Sequence, residues 1–157
     1  PGALRAAMSI TAAYLPEGSV REPYDFTPEC SRRMRGADIW AALAYLGQKG
    51  LADLVETCCR HAAMMAKGLQ ASGYEVLNEV KLNQVLVSFG ADETTERVIA
   101  GLQADGTAWC GGTHWHGRAA MRISFSSHAT TDADVVKSLE AILRVAASNS
   151  TASDNTG

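Results

Sequence analysis

Apolar residues recur every three or four positions in several stretches of the chain, the spacing of a helix that buries one side. This spacing predicts a short helix that ends at Gly47 and a long helix over about residues 51–72. It also predicts helices over about residues 93–105 and 132–147. Asp92 is placed to cap the first of these two.

Four runs of alternating or continuous apolar residues predict strands between the helices. The expected bounds are 74–77, 82–89, an edge strand at 107–110, and 119–125. Gly111–Gly117 is predicted to be a loop. Because neighbouring strands joined by short turns pair antiparallel, the pattern predicts an α+β fold, an antiparallel sheet covered by helices.

The composition excludes several classes of protein. The chain has 157 residues, 46% of them apolar and 20% charged, which is typical of a globular domain and excludes wholesale disorder. A net charge of −3 provides no basic surface for nucleic acid or anionic lipid. No apolar run approaches the ~20 residues of a membrane helix, so neither nucleic acid nor membrane is expected as a partner.

The cysteines favour a reducing compartment. Cys30, Cys58, Cys59 and Cys110 show no C-x-x-C spacing. We therefore expect reduced thiols in a cytoplasmic protein.

Residues 14–31 contain three prolines and a glycine, which exclude regular structure. Tyr14, Tyr24 and Phe26 lie in this segment and favour a functional loop over a packed connector. The chain opens at Pro1 without an initiator methionine, so we expect it to be a piece of a longer polypeptide.

Arg122 is a charged residue in the middle of a predicted strand, between Met121 and Ile123. A guanidinium in such a position needs a partner. That partner is either an acidic side chain on one of the helices or the carboxylate of a ligand, and the residues alone leave both alternatives open.

Two other clusters have alternative explanations. The basic run Arg32–Arg35 is either an anion or subunit contact or a solvated turn. Cys110, His114 and His116 have the spacing C-x3-H-x-H, which suggests a metal loop. Because no fourth ligand lies near them in the sequence, ordinary loop histidines are the simpler interpretation.

Four segments in order along the chain carry a family resemblance: Thr27–Trp40, Leu77–Phe89, Asp105–Trp109 and Gly117–Ser124. The first resembles the Arg-Arg segment before a Trp-bearing helix in group II pyridoxal-phosphate-dependent decarboxylases. That family includes aromatic-L-amino-acid, tyrosine and glutamate decarboxylases. The other segments resemble parts of its small domain. The resemblance implies the small C-terminal domain of the type I, aspartate-aminotransferase-like fold.

The resemblance also implies a division of the chain. Residues 1–36 would be a segment and active-site loop leading from a missing large domain, 37–147 the small domain and 148–157 a disordered tail. Similar enzymes hold pyridoxal 5'-phosphate on a lysine that follows a histidine in the large domain. None of the four lysines here follows a histidine, so the cofactor lysine is expected outside this chain, and the chain alone is expected to be inactive.

Several site residues follow from the resemblance, position by position. Arg122 matches the strand arginine with which similar enzymes hold the substrate carboxylate. Tyr24 falls in the mobile loop, where similar enzymes carry a tyrosine that protonates carbon after CO₂ leaves. The remaining positions would support the cleft or the subunit interface: Arg33, Arg35, Trp109, Thr113 and Trp115.

Two functions therefore remain as hypotheses. In the first, the parent protein is a cytoplasmic, homodimeric lyase that removes CO₂ from an L-amino acid, with aromatic substrates favoured. In the second, the chain is a stand-alone, non-catalytic α+β domain for dimerisation or regulation. A stand-alone domain would bury its whole apolar stripe from Leu51 to Leu69, whereas a piece of a larger protein would leave part of the stripe exposed.

Overall fold

The computed structural model describes residues 2–8, 23–26 and 33–150. The chain divides into two compact units, residues 1–46 and 47–157. The elements, in chain order, are α1 (Gly2–Met8), a short 3₁₀ helix (Pro23–Phe26), α2 (Arg35–Ala71), β1 (Glu75–Val76), β2 (Gln84–Ser88), α3 (Asp92–Asp105), β3 (Gly111–Trp115), β4 (Arg118–Ser124) and α4 (Asp132–Ser150).

In the first unit, α1 contacts the 3₁₀ helix. The Arg5 guanidinium forms an ion pair with the Asp25 carboxylate at 2.9 Å, and Asp25 is buried. The 3₁₀ helix lies within the segment that its prolines were expected to keep irregular, and it is a single short turn.

The long helix α2 is broken at Gly47, whose φ of 63° lies in the left-handed region that favours glycine. The break confirms the two helices predicted on either side of this residue. Beyond it, Cys58, Ala62, Met65 and Leu69 lie on one side of α2 and are buried. Their spacing of three and four residues is the predicted stripe.

The four strands form one antiparallel sheet in the order β1-β2-β4-β3. Leu86 of β2 and Gly111 of β3 both lie opposite Arg122 of β4. The α+β fold predicted from the sequence is confirmed.

The third predicted strand was placed wrongly. Residues 107–110 are not a strand, and the predicted loop contains β3, Gly111–Trp115. The turn to β4 consists of His116 and Gly117, with φ of 49° and 79°. Positive φ at both positions characterises the tight hairpin turn whose twist matches antiparallel strands. The apolar pattern did not predict this edge strand, because it begins with two glycines and continues with polar residues.

The ends of α3 and α4 also differ in part from expectation. Asp92 does not cap α3: the N-cap is Ala91, and the Asp92 carboxylate accepts a hydrogen bond from the Ala119 amide at 2.9 Å. At the start of α4, the Thr131 amide donates to Asp134 and the Asp134 amide to the Thr131 hydroxyl, as in a capping box. The helix α4 runs to Ser150, so residues 148–150 are helical.

The hydrophobic core lies between one face of the sheet and the helices of the second unit. We call this face the core face; it carries Val85 and Val87 on β2 and Met121 and Ile123 on β4, all buried. A Cβ built on Gly112 would lie 3.5 Å from Ile99, which places α3 on this side. No helix in the described part of the chain is long and apolar enough to cross a membrane.

Candidate functional site

The opposite face of the sheet brings together three of the residues predicted to form a site. We call it the arginine face; it carries Leu86 and Ser88 on β2, Thr113 and Trp115 on β3, and Arg118 and Arg122 on β4. The assignment follows from the register, since residues directly opposite each other in an antiparallel pair point to the same side. Arg122, Thr113 and Trp115 therefore share one face of the sheet.

Arg122 is exposed and lies on the middle of this face. Among the described residues it has no hydrogen-bond or ion-pair partner, so the alternative of an internal ion pair with a helix-borne acid is not observed. A guanidinium presents a rigid fork of donors that matches a carboxylate. The geometry therefore leaves Arg122 available to bind a carboxylate supplied from elsewhere.

Two tryptophans accompany Arg122. A Cβ on Gly111 would point to the arginine face, and it would lie 3.9 Å from Cζ3 of Trp109. The Trp109 indole therefore lies beside the position opposite Arg122, and it is 77% exposed. Trp115 is 41% exposed and packs edge-on against His116, with ring centroids 4.8 Å apart. An exposed indole beside the position opposite Arg122 is suited to a carboxylate with an apolar body. Trp115 lies opposite Arg118, farther along the same face.

An ion pair that the sequence did not suggest borders this surface. Arg118 donates two hydrogen bonds to the Glu75 carboxylate, at 3.1 and 2.7 Å, and a longer one to Ser88 at 3.5 Å. The hydrogen bonds from Arg118 lower the pKa of Glu75, and those bonds raise the pKa of Arg118. Glu75 and Arg118 are distant in sequence, and only the strand register, unknown beforehand, could have paired them.

Three predicted site residues, Arg33, Arg35 and Tyr24, belong to the first unit. Arg33 forms an ion pair with Asp38, and both side chains are exposed. Arg35 is the first residue of α2 and is exposed. Tyr24 belongs to the 3₁₀ helix, but its side chain lies outside the described part of the chain. Their roles in a cleft or interface remain predictions.

The metal hypothesis has no support in the described ranges 2–8, 23–26 and 33–150, where no three possible ligands converge. His114 lies on β3, whereas His116 occupies the left-handed turn, so the strand alternation that would align them is broken. Cys110 is buried, and burial raises the pKa of its thiol to about 11. A protonated thiol in the core is a poor metal ligand.

His61 is buried and joins α2 to the start of α4. Its Nε2 lies 2.9 Å from the Asp132 carboxylate, which also accepts a hydrogen bond from Arg60. Both hydrogen bonds lower the pKa of Asp132, and the one from Arg60 has the larger effect. The other ring nitrogen, Nδ1, is buried and has no partner in the described residues.

The lysines do not fit a covalent pyridoxal-phosphate site. Lys49, Lys67, Lys81 and Lys137 are all exposed. Lys49 is hydrogen-bonded to Asp53, which raises the pKa of its amine. A lysine that forms a covalent bond with a carbonyl cofactor instead needs desolvation or a cationic neighbour to lower its pKa. No lysine of this chain therefore fits the cofactor.

Several solved structures share this fold. Oryza sativa TDC with PLP and tryptamine is 18% identical, with a TM-score of 0.75, over 92% of this chain and 33% of that chain. Catharanthus roseus tryptophan decarboxylase in complex with L-tryptophan is 15% identical, with a TM-score of 0.69 and the same coverage. The glutamate decarboxylase domain of a Vibrio parahaemolyticus diaminobutyrate-pyruvate transaminase and L-2,4-diaminobutyrate decarboxylase is 20% identical, with a TM-score of 0.64 over 74% and 27%.

At these identities the likeness shows the fold, which is that of one part of these decarboxylases. The chain spans about a third of the length of the solved structures it matches. The sequence matches no protein-family model and no curated protein sequence.

Proposed function

We propose that this chain is the C-terminal part of a pyridoxal-phosphate-dependent decarboxylase that removes CO₂ from an L-amino acid. The shared fold supports the proposal, because the similar structures include a tryptophan decarboxylase and a diaminobutyrate decarboxylase. The aromatic preference rests on the sequence resemblance and on the two exposed tryptophans, Trp109 and Trp115.

The observation that carries this proposal is the exposed guanidinium of Arg122 on the arginine face, which has no partner among the described residues. In the proposed enzyme, Arg122 binds the substrate carboxylate through two parallel hydrogen bonds. Thr113 and the two tryptophans border the same surface and limit the access of water to it. Tyr24 is proposed as the proton donor to the substrate carbon.

Pyridoxal 5'-phosphate would withdraw electrons from the bond that breaks. Because no lysine here fits its attachment, we place the attachment site in polypeptide beyond these 157 residues. The isolated chain is accordingly proposed to be inactive, and the complete protein to be a cytoplasmic homodimer.

The test is steady-state kinetics of the complete reading frame, supplied with the cofactor and a panel of L-amino acids. Arg122→Ala should lower kcat/KM by roughly 10- to 100-fold, mainly through KM, because a hydrogen bond to a charged group contributes about 1.5–3 kcal/mol. Arg122→Lys should recover part of this loss. Arg97→Ala is the matched control, an exposed arginine on α3 that donates a hydrogen bond to Thr94. Unchanged kinetics in Arg122→Ala would refute the carboxylate role.

A specific observation bears on the alternative, a stand-alone binding domain. The stripe of α2 is buried at Ala62, Met65 and Leu69, but Leu51 and Val55 at its other end are 39% and 49% exposed. Partial exposure of the stripe favours a piece of a larger protein. The discriminating measurement is the coding sequence upstream of Pro1, since a start codon directly before it would favour the stand-alone domain.

A further inference from the structure

An apolar groove in the second unit is separate from the arginine face. It has a volume of about 300 Å³ and lies between α2, the loop before β2 and the end of β4. We call it the thiol groove, because two cysteines contribute to its walls. The residues that matter to the argument are Leu54, Val55, Cys58, Cys59, Leu82 and Phe125.

The two cysteines are adjacent in α2 and both line the groove. Cys58 is 7% exposed, Cys59 is half-buried, and both are free thiols. Consecutive Cα atoms are about 3.8 Å apart, shorter than the usual range of a disulfide. Within the helix the pair is therefore unsuited to a direct S–S bond, and both thiols remain available on one cavity.

We propose that Cys58 and Cys59 form a dithiol site for apolar trivalent organoarsenicals, of which phenylarsine oxide is the simplest probe. Both sulfurs bond to the arsenic, and the two thiol protons leave with the oxide oxygen as one molecule of water. Arsenic stays trivalent, so the reaction needs no oxidant or reductant. The arsenic atom bridges two sulfurs that need not approach to disulfide distance.

The lining of the groove selects this class of ligand. The product is neutral, and its phenyl ring can contact Leu54, Leu82 and Phe125. A divalent metal ion held by two thiolates would be neutral, but it would lack the further ligands that tetrahedral coordination requires. No third ligand converges with these cysteines in the part of the chain that the structure describes.

The other two cysteines are not expected to contribute to this site. Cys110 is buried elsewhere in the core, and burial raises the pKa of its thiol to about 11. A buried, protonated thiol with no second thiol beside it should not chelate arsenic. Cys30 lies outside the described residues, so the experiment removes it together with Cys110 by substitution.

The experiment uses the 157-residue chain with Cys30→Ser and Cys110→Ser, titrated with phenylarsine oxide and followed by intact mass spectrometry. We expect one adduct per chain, with a mass gain equal to the arsenical minus one water. When Cys59→Ser is added, the remaining thiol should bind the arsenical without loss of water. The mass gain should then equal that of the whole arsenical. Affinity should fall by about 100-fold, because the second, intramolecular S–As bond can then no longer form. A dithiol should reverse the original adduct, and a monothiol should not.

Cys58 is nearly buried, so the decisive variant is Cys59→Ser, whose fold is checked by circular dichroism. Equal affinity with and without Cys59, or an adduct that keeps its water in the two-cysteine chain, would overturn the proposal. A phenylarsine oxide that carries a ring carboxylate should bind about tenfold more weakly, because the groove would desolvate its charge. Equal binding of the two arsenicals would refute the role of the groove.

Discussion

The two faces of the sheet differ along a single strand. On β4, Met121 and Ile123 point to the core face and are buried, whereas Arg118 and Arg122 point to the arginine face and are exposed. The core face shares one hydrophobic cluster with the helices of the second unit. Arg122 finds no partner among the described residues. One side of β4 therefore packs in the core, while the other exposes Arg118 and Arg122 on either side of the buried Ala120.

The largest effect should come from the core face. Met121 is fully buried, so Met121→Ala should lower the free energy of unfolding by about 3 kcal/mol through lost burial and a cavity. Arg122→Ala, at the next position, should change it by less than about 0.5 kcal/mol. Urea unfolding followed by circular dichroism measures both.

The comparison would fail if Arg122→Ala destabilised the chain as much as Met121→Ala does. Such a result would mean that Arg122 has a structural partner, and the carboxylate proposal would lose its main observation. The free energy of unfolding should decrease with urea concentration at the same slope in both variants and in the original chain. Equal slopes would confirm that the variants differ from the original in stability alone.

A second prediction concerns Cys110, in the core beside the start of β3. Burial raises the pKa of its thiol from 9.0 to about 11 in the folded protein. The unfolded chain then loses this proton at a lower pH, so stability should fall as pH rises from about 9 to about 11. The loss should reach roughly 2–3 kcal/mol, from 1.36 kcal/mol per unit.

The control for this prediction is Cys110→Ala, which should show a smaller decline over the same alkaline range. Other groups that titrate there contribute equally to both chains. If the free energy of unfolding declined equally with pH in the original chain and in Cys110→Ala, Cys110 would have to become hydrated before it ionises. Chemical unfolding at several alkaline pH values provides the comparison.

The core face could be predicted from sequence, and much of the arginine face could not. The α2 stripe and the alternation on β4 follow from helical and strand periods, because burial imposes them on apolar residues. The edge strand β3 carries Gly111, Gly112 and His114, so no apolar period marks it. Arg122 was singled out because its charge interrupts an apolar strand, whereas only the fold shows that no partner lies near it among the described residues.

Substitutions in the hairpin turn between β3 and β4 test the edge strand that the apolar pattern did not predict. Gly117 has a φ of 79°, so Gly117→Ala should lower the free energy of unfolding by about 1 kcal/mol. His116 has a φ of 49°, and asparagine tolerates this region better than histidine does. His116→Asn should therefore raise stability slightly. The midpoint of thermal unfolding should fall in Gly117→Ala and rise in His116→Asn. A higher midpoint in Gly117→Ala would contradict the assigned turn.

The smallest effect should come from the Glu75–Arg118 ion pair on the arginine face, because both side chains are exposed and screened by solvent. Hydrogen bonds from Arg118 place the pKa of Glu75 below its ordinary value of 4.5. The pair therefore stabilises the fold above 4.5, and its contribution is lost as pH falls through the lowered pKa. Arg118→Gln should be slightly less stable than the original chain at neutral pH, and this difference should vanish in acid. Added salt should reduce it as well, whereas a difference that persisted in acid would assign Arg118 a packing role instead.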